Sequence, residues 1–503
     1  MILKTPRMSL FHYFRDKSRV FTLYLSRLYS LYSLRFSSFC QFSAKRSFWP
    51  LISAFCLVMS VAAVWLAPLL LWGGFFIFLN AGDKCLKAKR SFWPGFYWCA
   101  AWCGGVLLFP LYALVGIVGN VPCGFALLLC GIGMAGYAGF LGGVMLWMRA
   151  WLSVALKRGS VGCLVSEFIM LLLFFRFFLY DALRVFDLGE GFFFLHPLAP
   201  LMESPLWRML VVWGGEWGAI CLLLLTLFGV RFLFERKRYF LCGLSIFMLV
   251  VPGNWRAVAE CPFFQTQGDF VCLPSRAFTP CGDLHAADAA GLLARSLEAV
   301  PGAHYGKVQT VIFPESAFPI EIALGTPAFQ ALEGLSLGRR LLCGCYWRSN
   351  QGVSNAAAFF VNGSFKGVYC KQHGVPFAER LPIWCTWPFM QRLLSPLLGG
   401  DVFVQGCEQA PGFECEEMCL VPMLCSELFS RPIALDASSS CVVVAGMIND
   451  AWWVGTSFPY HLWRIAAFRA LAGARPFLYV SYTRQGFFDG RGGWLKLVLT
   501  YNN

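Results

Sequence analysis

Residues 421–429 read Val-Pro-Met-Leu-Cys-Ser-Glu-Leu-Phe, an apolar run that ends on a cysteine and a glutamate. A short apolar run of this kind, closed by polar residues, predicts a buried strand that delivers Cys425 into a turn, with Glu427 two residues later. In an α/β sheet the ends of strands open onto a cleft, where polar side chains can meet a ligand. The stretch therefore predicts an α/β domain with a reactive thiol at a strand end.

Two earlier stretches have the same form. Residues 308–315, Val-Gln-Thr-Val-Ile-Phe-Pro-Glu, are a β-branched run that ends on Glu315. Residues 367–379 open with a strand that ends on Lys371, and they close on Glu379. Each stretch places an ionisable side chain just past an apolar strand, so a carboxylate and an ammonium are predicted near the thiol. Together these groups are suited to acyl transfer.

The chemistry assigns a role to each of these side chains. A thiol attacks a carbonyl as thiolate, so Cys425 needs a base, and Glu315 can serve once partial burial raises its pKa. The oxyanion that then develops can be stabilised by the Lys371 ammonium and by backbone N–H groups after the cysteine. Glu379 and Glu427 are expected to orient the lysine or to line the cleft. Taken singly, a cysteine is more often a small buried hydrophobe, and a charged strand end is more often solvated.

Composition places this chemistry at a membrane. The chain has 503 residues, 58% of them hydrophobic, and a mean hydropathy of +0.61, which is too apolar for an ordinary soluble protein. The net charge is +14, yet residues 1–252 hold 23 Lys and Arg against 9 Asp and Glu, while residues 253–503 hold 18 of each. An excess confined to the apolar half is the positive-inside pattern of membrane proteins, and it argues against a nucleic-acid partner.

The chain divides into three predicted parts. Residues 1–46 are a basic cytoplasmic leader that is retained, residues 47–252 are a transmembrane domain of about seven helices, and residues 253–503 are an extracytoplasmic catalytic domain. Residues 44–50, Ala-Lys-Arg-Ser-Phe-Trp-Pro, recur unchanged at 88–94, and both basic copies open a span, which predicts an even number of crossings between them. Further spans are predicted at 95–118, 122–148, 161–180, 208–230 and 239–252, after a pair of short spans within 51–81.

Polar residues inside the predicted spans have two interpretations. Glu216 and a pair formed by Glu167 and Arg176 are costly in lipid, so they mark either a cavity for a lipid substrate or a structural partner inside the helix bundle. Residues 181–207 are amphipathic and are expected in the outer interface of the membrane.

The second half has the composition of a globular α/β domain. Asn362-Gly363 between two predicted strands indicates a tight hairpin. Helices are predicted at 284–300 and at 460–474, where Pro459 suits a first turn. Strands are predicted at 308–313, 356–361, 367–370, 421–424, 441–447 and 477–482.

Four motifs in order resemble the carbon-nitrogen hydrolase (nitrilase) superfamily, and with a membrane half in front they resemble the bacterial apolipoprotein N-acyltransferases. The motifs are Phe-Pro-Glu-Ser-Ala-Phe-Pro at 313–319, Tyr-Cys-Lys at 369–371 with Val-Pro-Phe-Ala-Glu-Arg-Leu-Pro at 375–382, Leu-Cys-Ser-Glu at 424–427, and Asn-Asp-Ala-Trp-Trp at 449–453. The resemblance continues through His461, Arg469 and Arg475.

The resemblance implies an α-helical polytopic membrane domain followed by an α/β nitrilase-like sandwich (αββα). It implies that Cys425 takes an acyl chain from a membrane phospholipid and passes it to the free α-amino group of a diacylglyceryl-cysteine lipoprotein. Glu315 is then the general base, Lys371 the oxyanion stabiliser and Glu379 a supporting carboxylate, in the bacterial cytoplasmic (inner) membrane with the catalytic domain on the periplasmic side. Residues 384–390 are either a lid that dips into the interface or a core helix.

Other classes remain open at this point. A membrane-tethered nitrilase-like amidase or a conjugal-transfer relative would use the same triad on another acyl group, and a catalytically silent scaffold would keep only the fold. The implied mechanism requires no cofactor, and a metal site is not expected because no CxxC pair has a matching partner pair. In an oxidising compartment disulfides are expected among Cys407, Cys415 and Cys419, or between Cys343 and Cys345.

Overall fold

The computed structural model describes both halves of the chain. The described residues are 50–60, 70–71, 73–78, 92–117, 121–156, 161–189, 191–238, 241, 270–272, 310–376, 379–380, 383, 387, 389, 412–415, 418–430, 442–453, 456–490 and 494–495. The predicted helix at 284–300 and the whole of the predicted leader at 1–46 lie outside these residues, as does the predicted span at 239–252 except for Leu241.

Long apolar helices make up the first half. In the described ranges, the segments 131–155, 162–180 and 205–234 are long and apolar enough to cross a membrane. The predicted spans at 95–118, 122–148, 161–180 and 208–230 each coincide with a helix, whereas the total of seven crossings stays a prediction. The helices are α1 (Pro50–Ser60), α2 (Phe92–Ile117), α3 (Val121–Ala155), α4 (Val161–Tyr180) and α5 (Pro205–Glu235).

Small residues let α2 and α3 approach each other closely. A Cβ added at Gly95 of α2 would lie 2.2 Å from the carbonyl oxygen of Gly142 in α3. Glycine at these positions lets the two backbones touch, which is how helices without a hydrophobic driving force gain packing energy in lipid.

The ion pairs of this half differ from the predicted one. The expected pair of Glu167 and Arg176 is wrong, because both residues lie on α4 and nine residues of helix separate them by about 13.5 Å along its axis. Glu167 instead accepts from Arg149 of α3 at 3.1 Å with both side chains buried, and Arg176 pairs with Asp181 at 2.9 Å. The buried charge is therefore paired between helices, as a low-dielectric interior requires.

Glu216 follows a break in α5, where Gly215 has φ 66° and ψ −177°. Its carboxylate accepts from the Tyr180 hydroxyl at 2.6 and 2.5 Å and lies 3.1 Å from Nε2 of His196. The other ring nitrogen of His196 accepts from the Leu198 N–H at 3.2 Å, so Nε2 carries the proton and donates to Glu216. Of the two interpretations of Glu216, these bonds support the structural partner inside the protein.

Two six-stranded mixed sheets make up the second half. The first has the order β1-β2-β4-β5-β6 with β3 also paired to β4, and the second has the order β12-β11-β10-β9-β8-β7. All six predicted strands exist with shifted ends, whereas six further strands, β1, β3, β4, β7, β11 and β12, were not predicted. The strands are β1 (Phe270–Cys272), β2 (Thr310–Ile312), β3 (Phe318–Ile322), β4 (Arg340–Ser349), β5 (Gly352–Val361), β6 (Ser364–Cys370), β7 (Phe413–Cys415), β8 (Met418–Leu424), β9 (Val442–Ile448), β10 (Phe477–Ser481), β11 (Gln485–Phe488) and β12 (Trp494–Leu495).

The two sheets pack face to face with a helix on each outer face. Ile312 and Phe359 of the first sheet and Leu424 and Val480 of the second belong to one buried cluster between the sheets. The alternate residues of the first sheet pack on α6 (Pro327–Leu335), and those of the second pack on α7 (Phe458–Ala472). The order is therefore helix, sheet, sheet, helix, as period-two alternation in each strand requires.

The hairpin between β5 and β6 is the one predicted from Asn362-Gly363. The two residues have φ 48° and 81°, and the flanking strands pair antiparallel. Positive φ at both central residues matches the right-handed twist of the strands, which is why this dipeptide is favoured there. The hairpin matters for function because it returns the chain along β6 to Lys371.

Helix α7 is buried on nearly all sides. Every residue from Phe458 to Leu471 except Tyr460 is buried. One face lies on the second sheet, and the other meets the membrane half, where the His461 ring donates to the Phe194 carbonyl at 2.7 Å. The segment predicted as an interfacial amphipathic stretch, 181–207, folds into short 3₁₀ turns in which Phe192, Phe193 and Phe194 are buried. Phe193 packs against Phe468 and Phe194 against Phe429, both in the second half. The two halves thus share one apolar core.

Candidate active site

Cys425 lies where strand β8 turns into the 3₁₀ helix Cys425–Phe429. It has φ 39°, a left-handed conformation that is rare for a residue with a side chain. The side chain is partly exposed, and a backbone hydrogen bond links it to Asn449, which follows β9. Backbone strain of this kind persists only where the surrounding structure fixes the conformation. The strained turn places the sulfur at the edge of the sheet.

Glu315 reaches the same edge from the first sheet. It lies three residues after β2 and is 4% exposed. Its Oε1 accepts from Lys371 Nζ at 2.7 Å and from Asn355 Nδ2 at 3.0 Å. Burial raises the pKa of Glu315, although the Lys371 charge acts in the opposite direction.

Lys371 follows β6 directly and is almost fully buried. Its Nζ contacts Glu315 at 2.7 Å and Glu379 at 2.9 Å. Burial alone would lower the pKa of this lysine, but the two carboxylates outweigh it and raise the pKa well above its ordinary value. The lysine is therefore a permanent cation at the sheet edge.

Glu379 is held by three donors. Its oxygens accept from Lys371, from Asn355 Nδ2 at 2.7 Å and from the Val375 N–H at 2.6 Å. Burial would raise the pKa of Glu379, and Lys371 together with these hydrogen bonds lowers it instead. Asn355, in the middle of β5, bridges both carboxylates, and sequence analysis missed it because an asparagine inside an apolar strand has no local signal for such a role.

Glu427 is fully buried rather than in the cleft. One oxygen accepts from the Tyr369 hydroxyl at 2.9 Å and the Gln372 N–H at 2.7 Å, and the other accepts from the Leu424 N–H at 2.7 Å. The carboxylate therefore ties the loop after Lys371 to the turn that carries Cys425. Of the two roles expected for it, orienting the lysine segment fits this geometry and lining the cleft does not.

The surroundings of Cys425 favour its protonated thiol over the thiolate. Burial raises its pKa well above the ordinary value, the Glu315 charge raises it further, and the Lys371 charge lowers it. A thiol with a raised pKa needs a base at the moment of attack, and of the two carboxylates whose charge acts on it, Glu315 has the larger effect.

Three other cysteines of this half are buried and form no disulfide. They are Cys343 and Cys345, on β4, and Cys419, on β8, so the expected Cys343–Cys345 disulfide and the expected disulfide of Cys419 are wrong. Cys343 and Cys345 are two residues apart on one extended strand, so their side chains project in parallel from the same face. Their sulfur atoms therefore do not point toward each other as a disulfide requires. Burial raises the pKa of Cys345 to about 12 and that of Cys343 well above its ordinary value, which disfavours the reactive thiolate in both.

Gly344 in β4 lies directly behind the Glu315 turn. A Cβ at this position would lie 2.3 Å from the Pro314 carbonyl oxygen and 2.7 Å from the Glu315 Cα. The Glu315 turn therefore packs directly against the backbone of β4 at Gly344. This contact fixes how far the Glu315 carboxylate extends into the site.

An ion pair joins the loop after Glu379 to the membrane half. Arg380 Nη1 lies 3.0 Å from the Asp187 carboxylate, and its Nη2 donates to the Asp187 carbonyl at 2.9 Å. The Ile383 N–H donates to the same carboxylate at 2.7 Å. Beyond this anchor, Ile383, Trp387 and Phe389 are 71%, 65% and 74% exposed, and the rest of the predicted lid at 384–390 lies outside the described residues.

Replacement of Asp187 by alanine is expected to loosen this loop with little change in global stability. A partly exposed ion pair contributes about 0.2–1 kcal/mol, so the thermal midpoint should hardly move. Hydrogen–deuterium exchange of the peptide covering 372–383 should rise severalfold. The matched control is Asp181→Ala, whose ion-pair partners Arg176 and Arg184 lie in the membrane half. Equal exchange in the two variants would show that Asp187 does not anchor the loop.

Comparison with known proteins identifies sequence relatives of part of the chain. An apolipoprotein N-acyltransferase of Methylococcus capsulatus is 27% identical over 186 residues, which is 36% of each chain. One of Caulobacter vibrioides is 29% identical over 206 residues, covering 36% of this chain and 37% of the relative. The match thus spans little more than a third of the length of these relatives. No family model matches the chain.

Among solved structures, a CN-hydrolase superfamily protein of Xanthomonas campestris with an arsenic adduct in its active site is similar at 15% identity. The match covers 42% of this chain and 79% of that protein, with a TM-score of 0.30, which is too low to support a conclusion about this chain. The sequence relatives therefore carry the comparison. They confirm the resemblance predicted from the motifs: the chain is related in sequence to the apolipoprotein N-acyltransferases.

Proposed function

We propose that this protein is a membrane acyltransferase that moves a fatty acyl chain from a phospholipid, through a thioester on Cys425, to the α-amino group of a diacylglyceryl-cysteine lipoprotein. The observation that carries the proposal is the meeting of Glu315, Lys371 and Cys425 from three strand ends on two sheets. The relatives named apolipoprotein N-acyltransferase support the same reaction. The apolar helices that share a core with the catalytic half support a lipid substrate.

In the first half-reaction the Cys425 sulfur attacks the ester carbonyl of the phospholipid, and its proton passes to the Glu315 carboxylate. Negative charge develops on the carbonyl oxygen, where the Lys371 ammonium stabilises it. The tetrahedral intermediate collapses with cleavage of the ester C–O bond. Glu315 returns its proton to the leaving alkoxide, so a lysophospholipid departs and the acyl chain remains on sulfur.

In the second half-reaction the α-amino group of the acceptor attacks the thioester carbonyl. Glu315 takes a proton from the amine, the C–S bond breaks, and the Cys425 thiolate recovers a proton. The products are an amide on the lipoprotein and the free enzyme. Glu379 and Asn355 keep Lys371 and Glu315 in place during both steps without entering the bond changes.

We place the catalytic half outside the cytoplasm of a bacterial cell, with the helices in the cytoplasmic membrane. The charge excess of the first half supports this orientation through the positive-inside pattern. Cys370, next to Lys371, is disulfide-bonded, and structural disulfides are typical of oxidising compartments. The nitrilase-like αββα sandwich is the fold that we propose for this half.

The test is intact-mass analysis of the full chain after incubation with phospholipid vesicles. We expect a fatty-acyl adduct on the wild type, none on Cys425→Ala, and slow formation in Glu315→Gln. Cys419→Ala is the matched control, because Cys419 lies on the same strand and plays no part in the mechanism. Adducts of equal yield in wild type and Cys425→Ala, or none in a folded wild type with reduced Cys425, would refute the acyltransferase and favour an amidase or a silent scaffold.

The rate of thioester formation is expected to fall as pH is lowered through the pKa of Glu315. The base must be ionised, and because burial raises its pKa, the loss should begin at a higher pH than the ordinary value of about 4.3. Lys371 stays cationic across the neutral range because its pKa is raised. Single-turnover acylation between pH 4 and 9 measures this. A rate that rises steadily to pH 9 would instead indicate attack by a preformed thiolate.

A further inference from the structure

Tyr482 bonds the backbone of the Glu315 turn from the opposite sheet. It lies in the turn between β10 and β11, whereas Glu315 follows β2 of the first sheet. The Tyr482 hydroxyl donates to the Glu315 carbonyl at 3.2 Å and to the Ser316 carbonyl at 3.0 Å. A phenol has one proton, so the two carbonyls share it, and the bond crosses from one sheet to the other.

The turn that Tyr482 holds is strained. Ser316 has φ 52°, and a left-handed residue other than glycine costs about 1 kcal/mol or more. Such a conformation persists only when its surroundings fix it. Gly344 packs against the turn from β4, a side-chain hydrogen bond joins Ser316 and Tyr346, and Tyr482 fixes the carbonyl side.

The turn that carries Tyr482 is itself anchored beside the nucleophile. Asp450 is fully buried and accepts from the Ser481 hydroxyl at 2.7 Å, from the Thr483 N–H at 3.1 Å and from the Thr483 hydroxyl. The residue before it, Asn449, makes the backbone hydrogen bond to Cys425. A short chain of contacts therefore joins the backbone around the Cys425 sulfur to the backbone of Glu315.

We propose that Tyr482 is a positioning residue for the general base: its hydroxyl fixes the Glu315 and Ser316 carbonyls and so keeps the Glu315 carboxylate in place for the Cys425 proton. This inference rests on the proposed acyl transfer and deepens it. Tyr482 does not touch the reacting atoms. Proton transfer needs donor and acceptor within about 3 Å, so a small drift of the turn is enough to slow the step.

The change in pH profile follows from the groups that face Glu315. Without the Tyr482 hydroxyl, the turn drifts and the carboxylate loses part of its hydrogen bonding to Lys371 and Asn355, both of which lower its pKa. The acid limb of the acylation rate should therefore move to higher pH. The groups that face Glu315 from the packed elements are Lys371, Glu379, Cys425, Tyr346 and Tyr482.

The experiment compares single-turnover acylation of the full chain by phospholipid vesicles in wild type and Tyr482→Phe, which keeps the ring and loses only the hydroxyl. We expect the rate to fall about 10-fold with an unchanged KM for phospholipid and an acid limb at higher pH. The matched control is Tyr479→Phe, a fully buried tyrosine of β10 whose ring packs against Trp463 on the α7 side of the sheet. Its profile should match the wild type.

A double variant separates positioning from a merely structural role. In the Glu315→Gln background there is no base to position, so Tyr482→Phe should change the rate less than twofold. Two results would overturn the inference and show a general loss of folded protein. One is a double variant whose rate falls by the product of the two single losses, and the other is a Tyr482→Phe rate that falls by the same factor at every pH. An unchanged rate in Tyr482→Phe alone would overturn it as well.

A second readout does not depend on acyl transfer. The Glu315 charge raises the pKa of the Cys425 thiol, so a displaced carboxylate should shift the pH midpoint of Cys425 alkylation by iodoacetamide downward. Tyr482→Phe should shift it in the same direction as Glu315→Gln, by a smaller amount. If the wild type takes no acyl chain from phospholipid, the proposed function is refuted but the positioning role of Tyr482 is not. The pH midpoint of Cys425 alkylation then tests that role, and a midpoint in Tyr482→Phe equal to that of the wild type overturns it.

Discussion

Replacement of Lys371 by methionine is expected to slow thioester formation severely and to destabilise the protein most at neutral and alkaline pH. In the proposed mechanism the substitution removes the stabiliser of the oxyanion, which should lower the rate about 10²–10³-fold. It also leaves Glu315 and Glu379 buried, bridged by Asn355 and without their cation. Breaking a buried ion pair by removing one partner costs about 3–5 kcal/mol.

The pH dependence of this cost has a defined sign. Without Lys371 the pKa values of the two carboxyls rise in the folded state above their unfolded values, so the folded state binds protons more tightly. Stability is then retained at low pH and lost as pH rises through the raised pKa. The thermal midpoint in detergent, relative to wild type, should therefore be much lower at pH 8 than at pH 5.

Lys366→Met is the matched control, because Lys366 lies on β6, the strand that ends just before Lys371, and its side chain is exposed. It should leave both the thermal midpoint and the acylation rate near wild type. A Lys371→Met protein with wild-type midpoints at both pH values would contradict the coupling of the three buried charges.

Replacement of Gly344 by alanine is expected to displace the Glu315 turn and so to lower the acylation rate. The new Cβ would meet three backbone atoms, of Pro314, Glu315 and Ser316, at 2.3–2.7 Å. Backbone cannot swing aside as a flexible side chain does, so the Glu315 turn must move outward. Overpacking of this kind costs about 1–3 kcal/mol, and a displacement of the base by about 1 Å lowers the acylation rate about 100-fold.

Gly334→Ala in α6 is the control for Gly344→Ala. Nothing lies within 4 Å of a Cβ at Gly334, and alanine is favoured over glycine inside a helix by about 1 kcal/mol. This control should keep its rate and gain slightly in thermal midpoint. A Gly344→Ala protein with wild-type acylation would show that the position of the Glu315 turn does not limit the reaction.

Residues at strand ends were predictable because local pattern alone places them. Glu315, Lys371 and Cys425 each follow a short apolar run, and the structure brings all three to one edge. The Asn362-Gly363 hairpin was predictable for the same reason, since the turn chemistry is contained in two residues. Strand β4 was missed because its run of Leu, Cys, Gly and Tyr between arginines has neither alternation nor a turn signal.

Contacts between distant segments were not predictable. The hydroxyl of Tyr482 bonds a residue 167 positions earlier, and no periodicity links the two. The partner of Glu167 was wrongly assigned within its own helix, because the sequence does not say which helix lies beside which. Glu427 has the pattern of a cleft residue, but its burial depends on backbone donors from the loop after Lys371.

The burial of α7 on both faces has a consequence for biosynthesis. Sheet and helix bundle each cover one side of it, and Arg464 within it donates to the Ser60 carbonyl of α1 at 3.2 Å. A newly made chain whose helices have not entered the membrane leaves one side of α7 bare, and exposed apolar surface of this kind leads to aggregation. The Arg469 side chain of α7 also supports the nucleophile turn through the Leu428 carbonyl at 3.0 Å. A chain whose helices have not packed against α7 is therefore expected to leave the turn that carries Cys425 without this fixed support.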